Sequence, residues 1–289
     1  MNHWFIVVLL FISSISPMPG LVLQMRKERN MAPIYRPITD NQKSYVASLQ
    51  GSIINVAIGP AGTGKTLFAC NHAMQELKTQ SIDKIIITRP VVPVEEDIGY
   101  LPGKLNSKME PWTRPLFDIF HEYYDVKTVA QMLKCGVIEI APLAYMRGRT
   151  FKNALIIADE MQNSSPSQML MIATRLGSRS KLIITGDLKQ SDRMEDNGLK
   201  DFLQKKREYD KKLDQSHQNT TDISITQFDE GDIQRSKIVT EVLKIYGEIE
   251  YEKIDQCIPL ISKTVPLISK TEKVRRLSRE IKSKSDAAI

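Results

Sequence analysis

Eight consecutive residues constrain this chain more than any others: Gly59-Pro60-Ala61-Gly62-Thr63-Gly64-Lys65-Thr66. They satisfy the pattern Gly, four residues, Gly-Lys and then Ser or Thr. They stand between an apolar run, Ile53 to Ile58, and a segment of helical composition, Lys65 to Leu77. A strand that turns through such a loop into a helix aims backbone N–H groups and the positive end of the helix at one point, which makes a cradle for phosphate. Gly62 and Gly64 permit conformations and a closeness of approach that a Cβ would block. Lys65 is then placed to reach β- and γ-phosphate oxygens, and the Thr66 hydroxyl to ligate magnesium. The eight residues therefore predict a site for ATP with Mg2+.

The segments around this loop fix the fold class. Short apolar runs at Ile53 to Ile58, Lys84 to Thr88, Val137 to Ala141, Leu155 to Asp159 and Lys181 to Thr185 read as strands buried on both faces. They alternate with longer mixed segments, of which Lys65 to Leu77 and Ser167 to Leu176 have helical composition. That rhythm predicts an α/β fold in three layers, with a mainly parallel central sheet covered by helices on both faces. Ile223 to Phe228 alternates as a further strand, and Gly231 to Tyr246 carries apolar residues on one helical face. The stretch from Lys205 to Thr221 is dense in Lys, Asp, Gln and Asn, and is read as a solvated polar insertion.

In an open parallel sheet, ligands collect at the carboxyl ends of the strands. Leu155-Ile156-Ile157-Ala158 delivers Asp159 and Glu160 to such an end. Asp159 suits the magnesium shell and Glu160 can orient and polarise an attacking water. After Lys181 to Thr185 comes Gly186-Asp187-Leu188-Lys189-Gln190. The Gln190 amide can donate to a γ-phosphate or a water and accept from its neighbours.

The chain has 289 residues, 42% hydrophobic and 26% charged, and a net charge of +6. These are the values of a globular domain with appendages, and the basic excess suits a polyanion partner. Cys70, Cys135 and Cys257 are odd in number and widely spaced, matching neither a disulfide framework nor a zinc spacing. Residues 1–33 are set apart as a leader or targeting extension: Trp4 to Ile12 is apolar but shorter than the roughly 20 residues of a membrane span. A cytoplasmic or organellar location follows, with no stable membrane association of the core. The ATPase domain is expected over 34–250. Residues 251–289 hold a short tandem near-duplication and a basic stretch, and read as a flexible tail.

With the three sites in this order, the chain resembles the PhoH-like family, whose core is similar to the first RecA-type domain of superfamily-one helicases. The likeness runs from about Ile38 to Tyr246 and includes Thr88-Arg89-Pro90, Gly99-Tyr100-Leu101-Pro102-Gly103, Met146-Arg147-Gly148-Arg149-Thr150-Phe151, Asp159-Glu160-Met161-Gln162-Asn163 and Gly186 to Gln190. It implies a RecA-like P-loop NTPase that hydrolyses ATP and acts on RNA or single-stranded nucleic acid. It implies that Gln42 reads the adenine edge, that Arg89 meets nucleic acid, and that Arg235 neutralises γ-phosphate charge. The residues after Tyr246 are too few and too polar for a second motor domain. The resemblance therefore implies a homo-oligomer, a hexameric ring, in which a neighbour supplies Arg235. Two other classes share these motifs: a small-molecule kinase, and a nucleotide-gated scaffold that turns over negligibly.

Overall fold

The computed structural model describes residues 35–90, 105–192, 196–216 and 222–245. The expected leader over 1–33, the segment Gly99 to Gly103, the last residues of the expected insertion (217–221) and the tail over 251–289 lie outside the described residues. In chain order the elements are α1 (Asp40–Gly51), β1 (Ile54–Ile58), α2 (Lys65–Lys78), β2 (Lys84–Thr88), α3 (Leu105–Tyr123) and α4 (Val126–Lys134). They continue as β3 (Ile138–Ile140), β4 (Ala154–Ala158), α5 (Pro166–Ala173), β5 (Lys181–Gly186), α6 (Gly198–Ser216), β6 (Ile223–Gln227) and α7 (Lys237–Ile245).

The described strands form one sheet in the order β3-β2-β4-β5-β1-β6. All five pairings are parallel. Successive residues point to opposite faces of a strand, and here both sets are buried. Ala57, Ile85, Ile87, Leu155, Ile157 and Ile183 join a core with α1, α2, α3 and α4, through residues such as Tyr45, Met74, Phe120 and Val129. The alternate set, Val56, Ile86, Ile156, Leu182 and Ile184, is equally buried from the other side. Burial on both faces is why these strands appear in the sequence as unbroken apolar runs rather than as alternations. The three-layer α/β class, with its parallel central sheet, is thereby shown. The strand before the phosphate loop, β1, and the strand before the acidic pair, β4, are both neighbours of β5.

Helix starts follow local chemistry. Thr39 caps α1 and Ser165 caps α5, each in a reciprocal capping box with a glutamine three residues on, while the Asp125 carboxylate caps α4. The structure differs from the expectation in two places. Residues 205–216 are helix, the second half of α6, rather than a solvated loop. The other difference lies after β6, where Glu230–Asp232 form a short 3-10 turn and α7 starts only at Lys237. The segment from Gly231 to Ser236 is thus freed from the helix, and Arg235 with it.

Candidate nucleotide site

The loop between β1 and α2 is held in shape by three glycines with positive φ: Gly59 at 139°, Gly62 at 84° and Gly64 at 90°. Each is also crowded. A Cβ on Gly59 would lie 2.5 Å from the Phe228 carbonyl oxygen, and one on Gly64 would lie 2.9 Å from the Phe68 ring. Gly59→Ala should destabilise the domain by about 1–3 kcal/mol, since both the backbone conformation and Phe228, just after β6, oppose it. A thermal melt should fall by about 2–4 °C per kcal/mol lost; an unchanged melting temperature would show that Phe228 yields easily there. Gly64 begins α2 without a side-chain cap, unlike Thr39, Asp125 and Ser165 at their helices. The first-turn N–H groups of α2 are left to face whatever enters the loop.

Lys65 folds back over the loop, its Nζ donating to the carbonyls of Gly59 and Pro60 at 2.7 Å each. Burial pulls its pKa down, while Asp187, Glu160 and Asp159 pull it up. The Thr66 hydroxyl donates to Asp159 Oδ1 at 3.1 Å, and the Thr185 hydroxyl from β5 donates to the same oxygen. Asp159 is 7% exposed. Burial raises its pKa, with Glu160 adding to the rise and Thr185, Arg89 and Thr66 opposing it. A buried carboxylate beside two hydroxyls, with a second carboxylate adjoining it, is a hard-oxygen donor set of the kind that suits magnesium shared with a phosphate. Thr66 and Asp159 would hold the ion.

Glu160 follows at the end of β4 with φ 54° and ψ 40°. That left-handed conformation costs a residue with a side chain about 1–3 kcal/mol. Here it turns the chain sharply into the 3-10 turn Met161–Asn163 and keeps the carboxylate at the cleft. Arg89, from the end of β2, approaches Glu160 Oε1 at 3.5 Å. Asp187 caps the 3-10 turn Leu188–Gln190 by accepting from the Lys189 N–H at 3.0 Å, so Gln190 emerges beside the phosphate loop.

Arg235 is where the structure departs most from the expectation. The Gln234 N–H donates to the Gly62 carbonyl at 2.9 Å, and a Cβ on Gly62 would meet Arg235 Nε at 2.6 Å. Asp232 anchors the segment from the other side by accepting from Thr39 and from Asn41 Nδ2, the latter at 2.8 Å. The guanidinium therefore lies over the phosphate loop of its own chain. The reason is topological: β6 lies directly beside β1 and carries this segment onto the loop.

Gln42 is 2% exposed. Its Oε1 accepts from the Ile38 and Thr39 N–H groups at 2.8 and 3.4 Å, and its Nε2 donates to the Thr63 carbonyl at 3.2 Å. What the structure shows of Gln42 is a tether between α1 and the phosphate loop. Lys65, Thr66, Arg89, Asp159, Glu160, Gln190 and Arg235 all line one cleft of about 350 Å³. A family model described as PhoH-like protein matches residues 34–247. This chain belongs to the PhoH-like protein family. A PhoH-like protein of Mycobacterium tuberculosis is 39% identical over 235 residues, covering 81% of this chain and 64% of its own. One from Bacillus subtilis is 43% identical over 210 residues, 73% of this chain and 63% of its own. The Escherichia coli K12 protein PhoH is 35% identical over 226 residues, 77% of this chain and 60% of its own. The chain thus spans less than two thirds of the length of these relatives. A Sulfolobus solfataricus SWI2/SNF2 ATPase core in complex with dsDNA aligns at 14% identity with a TM-score of 0.34, over 54% of this chain and 33% of its own, a likeness too slight to carry weight. The fold, the family and the loop together make this PhoH-like chain a nucleotide-binding protein of the P-loop NTPase type.

Two members of the site carry no signal of their role in the sequence. Thr185 closes an apolar run and reads there only as strand; its register beside Asp159 comes from the pairing of β4 with β5. Gln162 follows the acidic pair by two residues, but nothing in its spacing marks it as a contact of Glu160.

Proposed function

We propose that this PhoH-like chain is a magnesium-dependent ATPase whose turnover is coupled to RNA or another single-stranded nucleic acid. The observation that carries the hydrolytic reading is the meeting of a phosphate cradle, a buried carboxylate, a candidate base and two further polar groups in one cleft. The loop amides and Lys65 bind and orient the β- and γ-phosphates. Thr66 and Asp159 would hold Mg2+, which when bound would neutralise charge on the phosphates. Glu160 accepts the proton of the attacking water, Gln190 aligns that water or the γ-phosphate, and Arg235 draws off charge as the terminal bond lengthens. A carboxylate base beside the cradle supports attack by water rather than transfer to a bound hydroxyl. For Gln42 the proposal is an adenine contact from the same side chain that tethers the loop.

Coupling to nucleic acid is supported by the net charge of +6 and by an exposed aromatic-basic pair. Tyr145 is 63% exposed, and Arg147 two residues on is exposed as well. An exposed ring and an exposed guanidinium two residues apart suit stacking and phosphate contact along a single strand. Assembly into a homo-oligomeric ring belongs to the same proposal.

The deciding experiment is ATP turnover by the full chain with magnesium or EDTA, and with or without single-stranded RNA. Turnover that needs magnesium and rises with RNA is the expected result. Bound ATP that persists through a long incubation with magnesium would overturn the hydrolytic reading, and RNA-indifferent turnover would overturn the coupling. Thr66→Ala should raise the magnesium concentration for half-maximal turnover by roughly tenfold, the equivalent of about 1.4 kcal/mol. A magnesium titration unchanged by the substitution would remove Thr66 from the ion's shell.

A further inference from the structure

We propose that Gln162 is a positioning residue for hydrolysis, the group that aims the Glu160 carboxylate and couples it to the turn carrying Gln190. This rests on the reading of Glu160 as the base. Gln162 lies in the turn Met161–Asn163 and is 1% exposed. Its Nε2 donates to Glu160 Oε2 at 2.6 Å, and its Oε1 accepts from the Asp187 N–H at 3.1 Å. The amide orientation is dictated by chemistry. A backbone N–H can only donate, so it must meet the oxygen; the NH2 is then turned toward the carboxylate, which can only accept. One side chain thus spans two sites that are far apart in sequence, the acidic end of β4 and the turn after β5.

The arrangement restricts Glu160 from both sides. Arg89 faces Oε1 and Gln162 holds Oε2, and the short charge-assisted bond is the tighter of the two. A backbone already in the left-handed region supplies the rest of the constraint. Gly186 completes it, because a Cβ there would lie 2.8 Å from Gln162 Oε1. The same two turns are also joined independently: the Ser191 hydroxyl donates to the Gln162 backbone carbonyl at 2.9 Å, and the Asp192 N–H donates to Asn163 Oδ1 at 3.0 Å. Substituting the Gln162 side chain leaves those two tethers in place. What is lost is the aim of Glu160 and its link to Asp187.

The test is a double-mutant cycle in the full chain. The values of kcat and KM for ATP are measured for Gln162→Met in the native background and in Glu160→Gln. Gln162→Met should lower kcat by about 10- to 100-fold with KM little changed, the scale of a reacting group misplaced by roughly 1 Å. In the Glu160→Gln background, the same substitution should change the residual single-turnover rate by less than about twofold, because residues acting through one another are not additive. Binding of a fluorescent ATP analogue reports folding. Should Gln162→Met fail to bind it, Gln162→Asn takes its place, an amide too short to reach both partners. A loss that is additive with Glu160→Gln, or one confined to KM, would overturn the proposal. So would native kcat in a variant that still binds the analogue. An inactive Glu160→Gln beside unimpaired Gln162 variants would overturn this proposal alone, whereas full activity of Glu160→Gln would overturn the base assignment and this proposal with it.

Discussion

Glu160→Gln should keep ATP bound and all but stop its hydrolysis. The amide has the size of the carboxylate and can still accept from Gln162 Nε2 through its oxygen, so the turn after β4 is kept. What disappears is the group able to take a proton from the attacking water, a contribution of about 10²–10⁴ in rate. Lys65, the loop amides and the Thr66–Asp159 pair are untouched, so affinity for the nucleotide should stay near that of the unsubstituted chain. The variant should therefore retain ATP through gel filtration with magnesium and give a single-turnover rate reduced by that factor. If it hydrolyses ATP at the parent rate, the base lies elsewhere, and Asp187, which lines the same cleft, becomes the next residue to substitute.

The parts of this site that are local in sequence are legible from the amino acids alone. The phosphate loop, Asp159-Glu160 and the strands leading into them combine a short pattern with an apolar run, and runs buried on both faces are hard to mistake for surface. The parts that are not legible depend on other physics. Helix α6 continues through a stretch poor in apolar residues, because Lys, Glu, Gln and Arg are good helix formers and because side chains one turn apart pair along it. Lys205 meets Asp201 at 2.8 Å, Lys206 meets Asp210 at 2.6 Å, and Gln204 donates to Glu208 at 3.0 Å. Low hydrophobicity is therefore a poor sign of a loop here, since an exposed helix needs no wide apolar face. Gln162 and Thr185 are hidden for another reason. Their roles come from the lateral pairing of β4 with β5, and strand order is not written in any one segment. The position of Arg235 is hidden in the same way, by the pairing of β6 with β1.

That last placement changes what a mixing experiment should show. With the Gln234 N–H bonded to the Gly62 carbonyl and Arg235 over Gly62, the arginine and Glu160 line one cleft of one chain. Arg235→Ala should leave ATP binding largely intact and reduce turnover by about 10³-fold, since an arginine of this kind acts on charge that develops in the transition state. Gly62→Ala should mimic part of that loss, because its Cβ would occupy the space of Arg235 Nε. Co-assembling the Arg235→Ala chain with the Glu160→Gln chain should then give no more activity than the two measured apart. The first has a base without its arginine, and the second an arginine without its base, at every site. An arginine delivered by a neighbour would behave differently, because some mixed interfaces would join an intact Glu160 to an intact Arg235 and turnover would return. Recovery of turnover in oligomers shown to contain both chains would therefore overturn the assignment of Arg235 to its own chain's site.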